Sequence, residues 1–186
     1  MNPLMPLAVL WEMHVQVPEI FDRHQAYRMA RQYCRAVGKP LLRVGIRRGF
    51  LEPPNGDATL DIDPIIRRIA GGVQGDERAM PMFADKQFGA AFNEQTLEHL
   101  HSAEDVRLAV GECVRVADYA YLLVPSPAGI IAHLHPTHYL AIRIVQGGLA
   151  VRRVFHADQP AVFVPVPHAR RALDSLVIGY SGGVTG

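Results

Sequence analysis

The chain has 186 residues, 49% of them hydrophobic and 20% charged, with a formal net charge of +1. That is the length and balance of one ordinary soluble globular domain, with no net field to gather nucleic acid or an anionic membrane. The two cysteines, Cys34 and Cys113, fit neither a disulfide framework nor a zinc motif, so a reducing cytoplasm is the expected compartment.

Residues 1–18 form an apolar N-terminal segment, "PLMPLAVLWEMHV" at its centre. It lacks a basic lead, Glu12 interrupts it, and it is too short to span a bilayer, so it reads as a packing segment. Trp11, with Leu7, Val9 and Leu10, offers an anchor for the domain itself or for a protein partner. Residues 19–37 carry helical spacing, with Ile20, Tyr27, Ala30, Cys34 and Val37 on one face. Gly38 and Pro40 end that helix.

"PLLRVGI" is a short strand that runs into a turn bearing Gly45 and Gly49. Further strands are expected at 58–62, in "GGVQGD", and at 88–92. "SAEDVRLAVGECVRVA" is a helix with Ser102 as N-cap and acids in its first turn. "DYAYLLVPSP" is a strand stopped by prolines. Apolar strands alternating with helices predict an α/β domain over 19–156 with a mainly parallel sheet. "HYLAIRIVQGGLAVRRVF" then reads as an antiparallel β-hairpin turning at Gly147 and Gly148. The tail, 157–186, is expected to hold a short helix over 167–177 and a flexible glycine-rich end.

Two segments, "GDERAMPMFADKQFG" and "QTLEHLHSAEDVRLAVGECVRVA", give the order of parts an identity. With the strand and glycine turn before them, they resemble the class I S-adenosylmethionine-dependent methyltransferases, in particular small type-11-like members, over roughly residues 38–127. The resemblance implies a Rossmann-like sheet with flanking helices, S-adenosylmethionine as cofactor and an unidentified methyl acceptor, small or macromolecular. It implies that Gly45 and Gly49 let the first turn approach the cofactor, as residues without Cβ can. It places Asp61 on the ribose hydroxyls, with Asp63 as the near alternative. It places Asp76 on the adenine amino group, with Glu77 beside it. Asn93 and Glu94 would face the methyl donor and the acceptor.

The sequence also departs from that family. Its first motif carries an acid where this chain has Arg43, and a middle glycine where this chain has Arg47. An acid expected after Phe88 is replaced by Gly89. If Arg43 faced the cofactor ammonium about 4 Å away, the repulsion would be about 4 kcal/mol at an effective dielectric near 20. Three readings of the turn follow. Arg47 or Arg48 pairs with the cofactor carboxylate, or the turn takes a phosphate, or it binds nothing and the chain is a silent methyltransferase-fold subunit of a larger assembly.

"HLHPTH" supplies His133, His135 and His138. We read this loop as packing at the base of the hairpin, with no metal, and with His135 or His138 as an optional base over the cleft. Glu98 and His99 of "LEHL" read as groups making structural hydrogen bonds at a helix end.

Overall fold

A computed structural model describes residues 5–156, 158–173 and 175–180. In chain order the strands are β1 (Leu41–Val44), β2 (Ala58–Asp61), β3 (Gly72–Gln74), β4 (Phe88–Glu94), β5 (Ala117–Leu123), β6 (Leu140–Val145), β7 (Gly148–Arg153), β8 (Val162–Pro165), β9 (Arg170–Leu173) and β10 (Leu176–Tyr180). Three α-helices accompany them: α1 (Met5–Val37), α2 (Ala103–Val116) and α3 (Ile130–Leu134).

β1 and β4 are buried along their whole length, so they need cover on both faces and occupy the centre of the sheet. The strand order is β3-β2-β1-β4-β5-β10-β9. The first five strands are parallel, and β10 runs antiparallel to both β5 and β9. The order reverses between β1 and β4, which leaves a crevice at their carboxyl ends.

Successive side chains of a strand point to opposite faces. Leu41, Ala90, Phe92, Tyr121 and Leu123 therefore meet α1, through Ala26, Tyr27, Ala30 and Cys34. The rings of Tyr27 and Phe92 meet edge to face, 5.4 Å apart. Leu42, Val44, Ala91 and Leu122 fill the opposite face with Val106, Ala109 and Val110 of α2. A three-stranded antiparallel sheet, β6-β7-β8, packs there too, through Leu140, Ile142, Leu149, Val151 and Val164. Ser102 caps α2 as expected, its hydroxyl accepting from Asp105 N at 3.1 Å.

Gly89 sits where β4 passes under α1. A Cβ there would come within 3.1 Å of both Cα and Sγ of Cys34. The family's acid has no room at this position, because the helix packs directly on the strand.

Two expectations change. The apolar segment and the first helix are one helix of 33 residues that runs through Pro18. Its first turns stay exposed at Leu7, Leu10, Trp11 and Met13. They are tethered through Trp11 Nε1, which donates to Ala128 O at 2.9 Å, and Glu12, which accepts from Ile130 N at 2.7 Å. Second, the helix expected over 167–177 is replaced by β9 and β10. Leu176, Val177 and Ile178 pair with Leu123, Leu122 and Tyr121, and this burial between two packed faces outweighs the helix propensity of "RRAL". Between β1 and β2, where the sequence allows a short helix or a loop, residues 45–57 are an irregular excursion. The phosphate reading, which needs a helix N-terminus there, loses its support. The glycine-rich end, 181–186, lies outside the described residues. Among the described residues, no helix is long and apolar enough to cross a membrane.

Candidate functional site

The crevice at the carboxyl ends of β1, β2 and β4 opens into a cleft of about 850 Å³. Its floor is the turn after β1. Gly45 has φ +88, and a Cβ on it would lie 2.7 Å from Thr96 Cγ2, so this position requires glycine. The turn is docked on β2: Gly45 N donates to Leu60 O at 2.9 Å, and Ile46 N donates to Asp61 Oδ2 at 2.7 Å.

Arg43 lies under this floor, 2% exposed. By strand alternation it shares the α1 face with Phe92 and Glu94, and it reaches the cleft lining as a paired rather than a free charge. Its Nε donates to Gly45 O at 2.8 Å, and its Nη1 donates to the carbonyls of Pro53 and Pro54. Its Nη2 lies 3.2 Å from Glu52 Oε2 and 3.0 Å from Glu94 Oε2. Arg23 stands 3.1 Å from Glu19 and 3.8 Å from Glu94. Two guanidiniums thus face three carboxylates, and the repulsion expected of Arg43 is cancelled locally. Burial pushes the Glu94 carboxyl up, and the neighbouring Arg43 and Arg23 pull it back. Arg43 staples the 45–57 excursion on to β1.

Arg47 stays out of the cleft. Its side chain folds on to its own loop and donates to Gly49 O at 2.8 Å and Phe50 O at 2.9 Å. Gly49 also lies outside the cleft. Arg48 lines the rim, 3.4 Å from Asp63.

The acids occupy distinct settings. Asp61 accepts from Ile46 N through one oxygen and from Asp63 N, at 2.8 Å, through the other. Each oxygen keeps a lone pair for a ligand in the cleft. Asp76 is gripped by Arg78, with Nε–Oδ1 at 3.0 Å and Nη2–Oδ2 at 2.6 Å. The Arg78 guanidinium holds the Asp76 carboxyl below its usual value. Arg78 also donates to Asp105 at 2.9 Å. Glu77 turns inward, accepting from Asn93 Nδ2 at 2.6 Å and Thr96 Oγ1 at 2.8 Å. Burial nevertheless pushes its carboxyl up to about 7. Asn93, fully buried, braces Glu77 from below and does not line the cleft.

The opposite wall joins the 3-10 turn Leu97–His99 to residues 135–138. Glu98 is 1% exposed, and neither of its carboxylate oxygens has a hydrogen-bond partner. Burial pushes its pKa up to about 8. Its nearest ionisable contact is His138 Nε2, 3.9 Å from Oε1 and too far for a hydrogen bond. Burial pulls the His99 pKa down and so favours the neutral ring, against the Thr137 carbonyl, which favours the charged one. His99 Nδ1 lies 2.9 Å from Thr137 O, and a carbonyl only accepts, so Nδ1 carries the proton. His135 stands beside this pair, its ring 4.6 Å from that of His138. His133 points elsewhere, to Pro127 O at 2.8 Å.

Of the residues read from sequence, Gly45, Asp61, Asp76, Glu77, His135 and His138 line one cleft; Gly49 and Asn93 do not. Sequence reasoning misses the Arg43–Glu94 pair and the lack of partners at Glu98. Alternation along β1 and β4 carries the signal for the pair. Nothing local marks Glu98, whose isolation depends on the 135–138 loop.

No family model matches the chain, and no curated protein matches it in sequence. Solved structures do match. A SAM dependent methyltransferase from Archaeoglobus fulgidus aligns over 93% of this chain and 99% of its own, with 15% identity and a TM-score of 0.50. YcgJ from Bacillus subtilis is 21% identical over 54% of this chain and 50% of its own, with a TM-score of 0.38. A putative methyltransferase structure, solved as a complex with the Haloferax volcanii Trm112 methyltransferase activator, matches over 95% of this chain and 96% of its own, at 12% identity and a TM-score of 0.44. The strand order, the antiparallel β10 and the full-length match to the Archaeoglobus structure together give this chain the fold of the class I S-adenosylmethionine-dependent methyltransferases.

Proposed function

We propose that the cleft binds S-adenosylmethionine and that the chain transfers its methyl group to a small-molecule or macromolecular acceptor. The observation that carries this reading is the left-handed turn at Gly45, locked to Asp61, at the point where the strand order reverses. The two open lone pairs of Asp61 suit a ribose diol. Asp76 accepts the adenine amino group once Arg78 swings to Asp105, to which it is already bonded. Arg43 is neutralised from below, so the cofactor's sulfonium and ammonium meet no net positive charge there.

Transfer forms a bond from an acceptor oxygen or nitrogen to the methyl carbon and breaks the carbon–sulfur bond. The bonding electrons go to sulfur, and S-adenosylhomocysteine leaves. The activated sulfonium needs mainly positioning. The acceptor proton passes to an imidazole on the opposite wall, His135 or His138.

A second reading has its own support. Arg78 occupies Asp76, and the first turns of α1 expose an apolar stripe around Trp11. In that reading the chain is a catalytically silent subunit that meets a protein partner through α1. A thermal-shift series separates the two. S-adenosylhomocysteine at 100-fold its Kd stabilises by about 2.7 kcal/mol, which raises the melting midpoint by roughly 5 °C. Asp61→Ala removes that shift. A wild-type midpoint unmoved at millimolar ligand selects the silent subunit.

A further inference from the structure

The wall opposite the glycine turn holds a cluster in which Glu98 and His99 have no part in methyl transfer, and His135 can serve as its base in place of His138. Glu98, His99 and His138 each offer one ligand atom, and these atoms all lie within 4.8 Å of one another. Buried carboxylates are ordinarily hydrogen-bonded or paired. Glu98 has no hydrogen bond and only a long contact to His138 Nε2, 3.9 Å from Oε1, although its carboxyl lies at the wall of a cleft open to solvent. The sequence places two of these residues in "LEHL" and the third beyond β5, in a loop held by backbone bonds. Tyr139 N donates to Glu98 O at 2.9 Å, and His138 N donates to His135 O at 3.1 Å. The loop is therefore fixed against the turn that carries Glu98 and His99.

We propose that Glu98, His99 and His138 form a binding site for a divalent transition cation. Two imidazoles and one carboxylate suit zinc, iron or nickel rather than magnesium or calcium, which take oxygen ligands. Ligands around such an ion stand about 2.0–2.2 Å from it, so the three atoms close by about 1 Å as the ion enters, within reach of side-chain rotation. The bond from His99 Nδ1 to Thr137 O is the outer contact that metal-bound imidazoles ordinarily make, and it leaves the lone pair on Nε2. The cation supplies Glu98 with a positive partner at bonding distance, which the 3.9 Å contact to His138 does not. Three protein ligands leave at least one coordination position open to the cleft, as in catalytic rather than structural sites. That position takes an oxygen or nitrogen ligand from a small molecule. The metal site itself does not rest on the methyl-transfer reading, and its test uses the metal alone.

The test is calorimetric titration of chelator-treated protein with Zn²⁺, alongside the visible spectrum of the Co²⁺-loaded protein. One Zn²⁺ binds per chain, and Co²⁺ gives ligand-field bands in the visible. Glu98→Gln and His138→Ala each weaken Zn²⁺ by about tenfold or more and bleach those bands. His168→Ala, before β9 with its ring stacked on Tyr180, leaves both unchanged. Circular dichroism reports whether each variant is folded, and the wild-type Co²⁺ spectrum stands as evidence whether or not a variant folds. A wild-type protein that binds no Zn²⁺, or site variants that bind as the wild type does, overturns the proposal. Mg²⁺ binding as tight as Zn²⁺ overturns the assignment to a transition cation.

Discussion

Arg43 shows how one residue can look disqualifying in sequence and be absorbed by structure. Against the family's acid it reads as a repulsive charge. In place it is a buried clamp whose donors reach three carbonyls and two carboxylates. Breaking a buried pair leaves an uncompensated charge, at a cost of about 3–5 kcal/mol. Arg43→Met is expected to destabilise by that order in urea unfolding, and Arg43→Met with Glu94→Gln to recover part of the loss. A single variant as stable as wild type would mean that the clamp holds nothing.

Glu98 yields a pH prediction at the same scale. A carboxyl whose folded pKa is raised above its unfolded value binds its proton more tightly when folded. Its stabilisation is complete below the ordinary value of 4.5 and is lost as pH rises through about 8. Glu77 acts in the same direction over a narrower window, up to about 7. In metal-free protein, Glu98→Gln is therefore expected to match wild type near pH 5 and to exceed it at pH 9 by an amount on the order of 3 kcal/mol. Parallel pH–stability curves for the two proteins would contradict a buried, unpaired carboxyl.

At the scale of elements, much of the core was legible. β1, the 58–61 strand, β4, α2 with its Ser102 cap, β5 and the β6–β7 hairpin all announce themselves by apolar runs, alternation and caps. The 167–177 segment did not, because Arg170, Arg171, Ala172 and Leu173 favour a helix until β5 offers β10 a partner strand. The continuity of α1 through Pro18 was also hidden, since proline ordinarily marks a boundary. Gly89 looked like a lost acid and proves to be a packing requirement of α1 on β4. Gly89→Ala forces a methyl against Cys34 and is expected to cost about 1–3 kcal/mol by chemical denaturation. A neutral or stabilising outcome would show that α1 gives way freely.

At the scale of the whole molecule, the sheet order sets where the cleft lies. The resemblance carried by "GDERAMPMFADKQFG" and "TLEHL" foresaw the strands whose carboxyl ends line the cleft. It could not foresee the opposite wall, since Glu98 and His138 are 40 residues apart in sequence and meet only when the hairpin folds back. Nor could it foresee that Arg43 clamps the loop after the first turn. We propose that this altered floor still holds a cofactor, and isothermal titration of the protein with S-adenosylhomocysteine is the test. A single-site isotherm is expected that disappears in Asp61→Ala, while Arg47→Ala, whose side chain lies outside the cleft, titrates like wild type. No heat at millimolar ligand from the folded wild-type protein would contradict it.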